Sequence, residues 1–387
     1  MKITDIRALS LSRQHEPERE WASSTFLVRK ADCSIIIIDT DEGTSGIGEA
    51  SAYGVPPVIK EKIAGLKARF VGEDPADALQ TLTEATQRPG GNGDDSVALA
   101  GIDCALWDLK GKIAGRRVCD LLAQGRQALD RVRLYASAGV SYDWDNNPES
   151  IVDEAVRLAD EGFTALKMRV GTEWSWSAVT PQRFIELIRK VDAAVGDRME
   201  LMVDGNCRLQ EAEALAIGEA MDEMAFTWFE EPIDKQNIDG YVRLNAALNL
   251  PVTGGEMLLT LEQVQPYLDQ QAYSIVQVDA GMAGLSETWR VAMKAHEQGV
   301  RHCPHSWHNG LMAMAHAHMV AALPAPAVVE LNAVQGPLQW EILRQKPRIE
   351  DGHLVIPKGP GFGVELADDL EERFPFIEGS WAESVTR

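Results

Sequence analysis

The residues best suited to chemistry are carboxylates at a regular interval. Phe226 to Pro232 reads Phe-Thr-Trp-Phe-Glu-Glu-Pro, an apolar run that ends in acids. Asp204 stands 26 residues before Glu230, and Glu256 stands 26 residues after it. Each acid closes a short β-like run. Oxygen ligands delivered at the ends of buried strands suit a hard divalent cation such as Mg²⁺. Three such acids at a strand-plus-helix interval are what neighbouring strands of a (β/α) barrel present on one rim.

The other apolar runs also end in reactive types. Lys167 and Arg169 lie two apart on one run and so share a face. Asp279 ends the run Val-Gln-Val-Asp, His305 ends Cys-Pro-His, and Glu330 lies in the last run. A single strand-end Asp is more often a turn former or helix cap than a ligand. The case rests on the full order Lys-x-Arg, Asp, Glu, Glu, Asp, His, Glu.

From about residue 132 the chain alternates apolar runs with helical stretches. The runs cover 132–138, 165–170, 200–206, 227–232, 251–256, 275–280, 302–307 and 328–332, which predicts eight barrel strands. Before them, a strand at 2–12, a polar loop at 14–30, a hairpin at 34–50 and helices at 58–70, 76–84 and 96–114 predict an α+β domain. Ser96 is expected to cap the last helix, with Gly115 just past its end. The expected organisation is 1–127 α+β capping domain, 128–350 barrel, and 351–387 returning to the capping domain.

The bulk numbers fit an enzyme of this size. The chain has 387 residues, 45% hydrophobic and 25% charged, with a net charge of -22. That charge argues against nucleic acid and anionic membranes as partners. An anionic substrate must then be drawn in locally, by a cation or by Lys and Arg. No run reaches the length of a membrane span, and the start lacks a signal-peptide core. The five cysteines form no Cys-x-x-Cys pair, and they read as reduced thiols of a cytoplasmic protein.

With these residues in order, the chain resembles the enolase superfamily and, within it, the mandelate racemase-like subgroup. The segment Ala98 to Lys112, Ala-Leu-Ala-Gly-Ile-Asp-Cys-Ala-Leu-Trp-Asp-Leu-Lys-Gly-Lys, is similar to the subgroup's N-terminal signature. The resemblance implies a modified TIM barrel, (β/α)7β, capped by the N-terminal domain. It implies one Mg²⁺ per subunit held by Asp204, Glu230 and Glu256, with the metal holding a substrate carboxylate. Asp279 would orient His305 as general base, while Lys167 and Glu330 flank the charge that develops as an enediolate. The capping segment would cover the barrel mouth, with Arg19, Trp21 and Tyr53, together with Asn206 and His308 from the barrel, against a small-molecule carboxylate substrate. Trp174 and Trp176 could roof the pocket or pack an outer helix. His302 reads as core or surface, and His316 and His318 read as structural. Relatives assemble as homo-oligomers, from dimer to octamer.

Arg169 departs from the pattern of relatives that racemise, which place a second Lys there. Arg is effectively always protonated and makes a poor base. One good base, His305, suits dehydration. The expected activity is therefore Mg-dependent dehydration of an acid sugar, an aldonate or aldarate. The proton α to the carboxylate is removed to give a metal-stabilised enediolate, and the β-hydroxyl leaves to give a 2-keto-3-deoxy acid. The alternatives are a racemase, epimerase or cycloisomerase using the same enediolate, and a metal-bearing scaffold without turnover. Glycolytic enolase is disfavoured, because its later-strand Lys is replaced here by His305.

Overall fold

The structure is a computed structural model. It describes all residues other than 18–19, 23–25, 52–54, 87–92, 141–143, 145–146, 171–178, 335, 337 and 385–387. Arg19, Tyr53, Trp174 and Trp176 therefore lie outside the described residues.

The chain begins with an antiparallel sheet of β1 (Ile3–Gln14), β4 (Lys30–Thr40) and β5 (Ser45–Ala50), with β4 in the middle. The isoleucine run of β4 is buried on both faces, and the period of two divides it between two cores. Ile36 and Ile38 join the core of the capping helices. Cys33, Ile35 and Ile37 join the core that continues into the barrel. The helix Gly93–Ala114 lies directly on this sheet. Glycine makes that approach possible: a Cβ at Gly48 would meet the Gly101 carbonyl at 2.4 Å. The helix starts at Gly93, ahead of the expected cap Ser96. Gly115 follows its end with φ +61°, a conformation glycine adopts without cost.

Eight parallel strands follow: β6 (Arg131–Ala138), β7 (Ala165–Arg169), β8 (Glu200–Asp204), β9 (Trp228–Glu230), β10 (Val252–Gly254), β11 (Ile275–Val276), β12 (Arg301–His302) and β13 (Val329–Asn332). They pair in sequence order from β6 to β12. β13 pairs with β6, so the last strand lies beside the first, as a barrel requires. A helix follows each of the first seven strands. This is the expected (β/α)7β order.

Two expectations differ from the structure for identifiable reasons. The run at 302–307 is strand only over Arg301–His302, because Pro304 has no amide to donate to a ladder. The polar stretch 14–30, expected as loop, contains β2 (Trp21–Ala22) and β3 (Phe26–Val28). Their partner explains this: β3 pairs with β16 (Ala382–Ser384) from the far end of the chain. The C-terminal segment also forms the hairpin of β14 (Ile349–Glu350) and β15 (His353–Val355), and β15 pairs with β6. Among the described residues no helix is long and apolar enough to cross a membrane.

Candidate active site

The barrel floor explains the placement of the site. Tyr135, Ala165, Met202, Trp228, Ile275 and Cys303 form a buried apolar cluster inside the barrel, with Val328 against it. Two residues further along each of these six segments stands a polar group: Ser137, Lys167, Asp204, Glu230, Gln277 and His305. Glu330 likewise follows Val328 by two. Side chains two apart share a face, so an apolar layer is followed by a chemical one at the strands' C-terminal ends. Register keeps the acids level, since Arg169 pairs with Asp204 and Asp204 with Glu230. Glu256 follows Gly255, whose φ of +104° turns the chain at the end of β10.

Glu230 is the most heavily tied of the acids. Its Oε1 accepts from Lys167 Nζ at 2.5 Å, and its Oε2 accepts from Gln277 Nε2 at 2.5 Å and Trp228 Nε1 at 3.2 Å. Lys167 Nζ also lies 3.1 Å from Glu330 Oε1. Asp204 accepts from the Asn206 amide and from Asn206 Nδ2, both at 2.8 Å. Asn206, expected on substrate, holds Asp204 through both of these contacts. Arg169 Nε stands 3.7 Å from Asp204 Oδ2. Its guanidinium carbon lies 4.2 Å from the centre of the Trp307 ring.

Burial pushes the Glu230 and Glu256 carboxyls up to about 7; Asp204 and other acids nearby add to this, while Lys167 opposes it for Glu230 and His305 for Glu256. Buried carboxylates in excess of their cations are a donor set that a hard divalent ion satisfies. Asp204, Glu230 and Glu256 therefore fit Mg²⁺ chemically.

The second half of the site is built on Asp279. His305 Nδ1 meets Asp279 Oδ2 at 2.8 Å, and His305 Nε2 lies 3.4 Å from Glu256 Oε2. Burial opposes protonation of His305, but Glu256, Glu330 and Asp279 outweigh it and raise the imidazole to about 10. For Lys167 burial is likewise outweighed, by Glu230, Glu330 and Asp204, and the ammonium is held protonated. Ser306 donates its amide to Glu330 Oε2 at 2.6 Å.

His308, expected on substrate, places Nε2 on Asp279 Oδ2 at 2.7 Å, with its side chain fully buried. Trp21 packs edge to face on Trp307, with ring centres 5.4 Å apart. Both line a small cavity of about 50 Å³ with Lys30, Asp32, Asn309 and Trp381. His302, which the sequence leaves as core or surface, is buried, and so is His318. His316 is buried too, but it packs beside Asp279. Gln277 and Trp228 were not among the residues expected at the site, although each lies two residues before a named acid.

Comparison with known proteins agrees with this fold. Residues 150–370 match the family described as enolase C-terminal domain-like. Residues 9–123 match the mandelate racemase / muconate lactonizing enzyme N-terminal domain. The chain belongs to the enolase superfamily, in its mandelate racemase-like subgroup. It is 31% identical to a D-galactarolactone cycloisomerase of Agrobacterium fabrum, over 97% of this chain and 99% of that one. It is 28% identical to an arabinonate dehydratase of Saccharolobus solfataricus, over 87% and 89%. Among solved structures, the 3,6-anhydro-D-galactonate cycloisomerase of Zobellia galactanivorans is similar with a TM-score of 0.83 and 28% identity, covering 97% of this chain and 99% of that one.

Proposed function

We propose that the protein is a hydro-lyase that dehydrates an acid sugar, an aldonate or aldarate, to a 2-keto-3-deoxy acid. The observation that carries this is the asymmetry between the two candidate proton carriers. His305 is oriented by Asp279 through Nδ1, which leaves Nε2 toward the acids. Arg169 is clamped between Asp204 and Trp307, and a guanidinium does not give up its proton. One face of the substrate therefore has a base and the other a fixed charge. The likeness to an arabinonate dehydratase supports the same reaction class.

Glu256 is the largest of the charges that raise the His305 imidazole; with that charge offset by the Mg²⁺ it would hold, Nε2 is free of hydrogen and removes the proton α to the carboxylate. The charge that accumulates on the carboxylate oxygens is met by Lys167, while Glu330 keeps Lys167 in place. His305 then returns the proton to the departing β-hydroxyl, water leaves, and the enol product tautomerises to the 2-keto acid. Asp204, Glu230 and Glu256 would hold one Mg²⁺ per subunit, which supplies a positive centre for the substrate carboxylate.

A screen of aldonic and aldaric acids for 2-keto acid formation tests this, with His305→Asn expected to lose about 10²- to 10⁴-fold in kcat. Full activity in that variant overturns the assignment.

A second reading is cycloisomerisation, supported by the likeness to the Agrobacterium fabrum enzyme. It uses the same proton abstraction and loses no water. Consumption of a sugar lactone without 2-keto acid would select it.

A further inference from the structure

Asp279 is fully buried, and its two oxygens are occupied differently. Oδ1 accepts the Gly281 amide at 2.7 Å. Oδ2 faces two imidazoles, His305 Nδ1 at 2.8 Å and His308 Nε2 at 2.7 Å. Burial alone would push the Asp279 carboxyl up; His308 and His305 hold it well below the usual range instead. An ionised carboxylate only accepts, so both nitrogens carry hydrogen. His316 is different. Its Nε2 accepts from the Ala280 amide at 3.0 Å, and its Nδ1 donates to Ser306 Oγ at 2.8 Å. Its Nε2 stands 3.4 Å from Asp279 Oδ1, a longer contact than either of the other two rings makes with Oδ2.

We propose that His308 is a positioning residue: by donating to the same Asp279 oxygen as His305, it fixes the carboxylate plane and so aims the His305 ring. The terminal torsion of an Asp is broad and soft, and the Gly281 amide restrains one oxygen. The second imidazole restrains the oxygen that His305 uses.

His308 is itself held from the capping domain. Glu49 accepts the amides of Asn309 at 3.1 Å and Met312 at 2.9 Å, which anchors the chain directly after His308. The ring has room because residue 281 is glycine. A Cβ there would come within 2.6 Å of His308 Nε2 and 3.2 Å of Asp279 Oδ1. Asp279, His305 and His308 are close enough together to suggest a metal site. However, nitrogen-to-oxygen distances of 2.7 and 2.8 Å are those of direct hydrogen bonds. The pair is complete without an ion between its members.

The inference rests on His305 as the proton carrier, but its test needs no turnover. Proton NMR of the full chain, with ¹⁵N-labelled histidine and Mg²⁺ present, reads the far-downfield N–H signals. His305→Asn and His308→Gln identify which signal belongs to which ring. In His308→Leu, the His305 Nδ1 proton is expected to move upfield and broaden by exchange with water. His308→Gln, which returns an N–H donor, should restore it. Gly281→Ala should reproduce the leucine result by displacing the ring. The two perturbing variants are read separately, so that if one fails to fold the other decides. A His305 signal of unchanged position and width in whichever of them folds overturns the proposal. Absence of any dehydratase activity would leave this result intact.

Discussion

The guanidinium carbon of Arg169 sits over Trp307, 4.2 Å from the ring centre, while its Nε faces Asp204 at 3.7 Å. A planar cation between an aromatic face and a carboxylate is a use of Arg that Lys does not reproduce. Arg169→Lys is therefore expected to lower dehydration roughly tenfold or more, by loosening Asp204 and losing the stack. The new ammonium, unlike a guanidinium, can give up its proton and so places a second base on the other face. Product formation in D₂O, with deuterium read in recovered substrate, checks this. Unchanged turnover with no added exchange counts against the clamp.

The acid cluster predicts a cation effect on stability. Asp204 and Glu230 are buried, Glu256 is partly exposed, and the three repel one another. A ligand that binds only the folded chain stabilises it by about 2.7 kcal/mol at a hundred times its Kd. Mg²⁺ added after chelation is expected to raise Tm, and Glu230→Gln should shrink that rise. An equal rise in both proteins would rule out Glu230 as a ligand.

Two buried histidines predict acid sensitivity. Burial pushes His302 down to about 3, with His316 adding to it, and His318 down to about 4. An unfolded chain titrates them near 6.5, so below that pH it binds more protons than the folded one. The contribution of these two histidines should therefore be intact above about pH 6.5 and be lost as pH drops toward 4, against the opposite contribution of the raised Glu230 and Glu256 carboxyls. For His318 the full effect is on the order of 3 kcal/mol. Urea midpoints between pH 7.5 and 5 should fall less steeply for His302→Leu than for the native chain. Parallel slopes would show that His302 does not contribute.

Gly48 predicts a packing effect. A methyl there would meet the Gly101 carbonyl at 2.4 Å and the Ala105 amide nitrogen at 2.6 Å. Both are backbone atoms of a helix that cannot easily yield. Gly48→Ala should cost about 1–3 kcal/mol of stability, visible as a lower urea midpoint. A midpoint at or above the native one would mean that the helix shifts without cost.

The sequence made the catalytic layer readable because strand geometry is local. A period of two carries Ala165 to Lys167, Met202 to Asp204 and Trp228 to Glu230, so the order of types along the chain already fixed which groups meet. The same rule, applied one step back, would have found Gln277 from Asp279. What was not readable depended on distant partners. β3 exists because β16 pairs with it some 350 residues later, and nothing in residues 14–30 announces that. The direction of His308 depends on Asp279 and on a glycine at 281, which no periodicity encodes. Asn206 sits at φ 46°, and this sharp turn folds its amide back onto Asp204.

The central strand of the capping domain limits how the enzyme can open. Ile36 and Ile38 belong to one core and Ile35 and Ile37 to the other, so a single ribbon is mortised into both halves. Swinging the N-terminal domain away as a rigid lid would strip one side of that ribbon bare to water. Traffic of substrate and product must therefore pass through displacement of shorter stretches of chain, with the two cores remaining joined throughout the cycle. Amide exchange along β4 should accordingly proceed at the rate of global unfolding, with or without a ligand in the barrel.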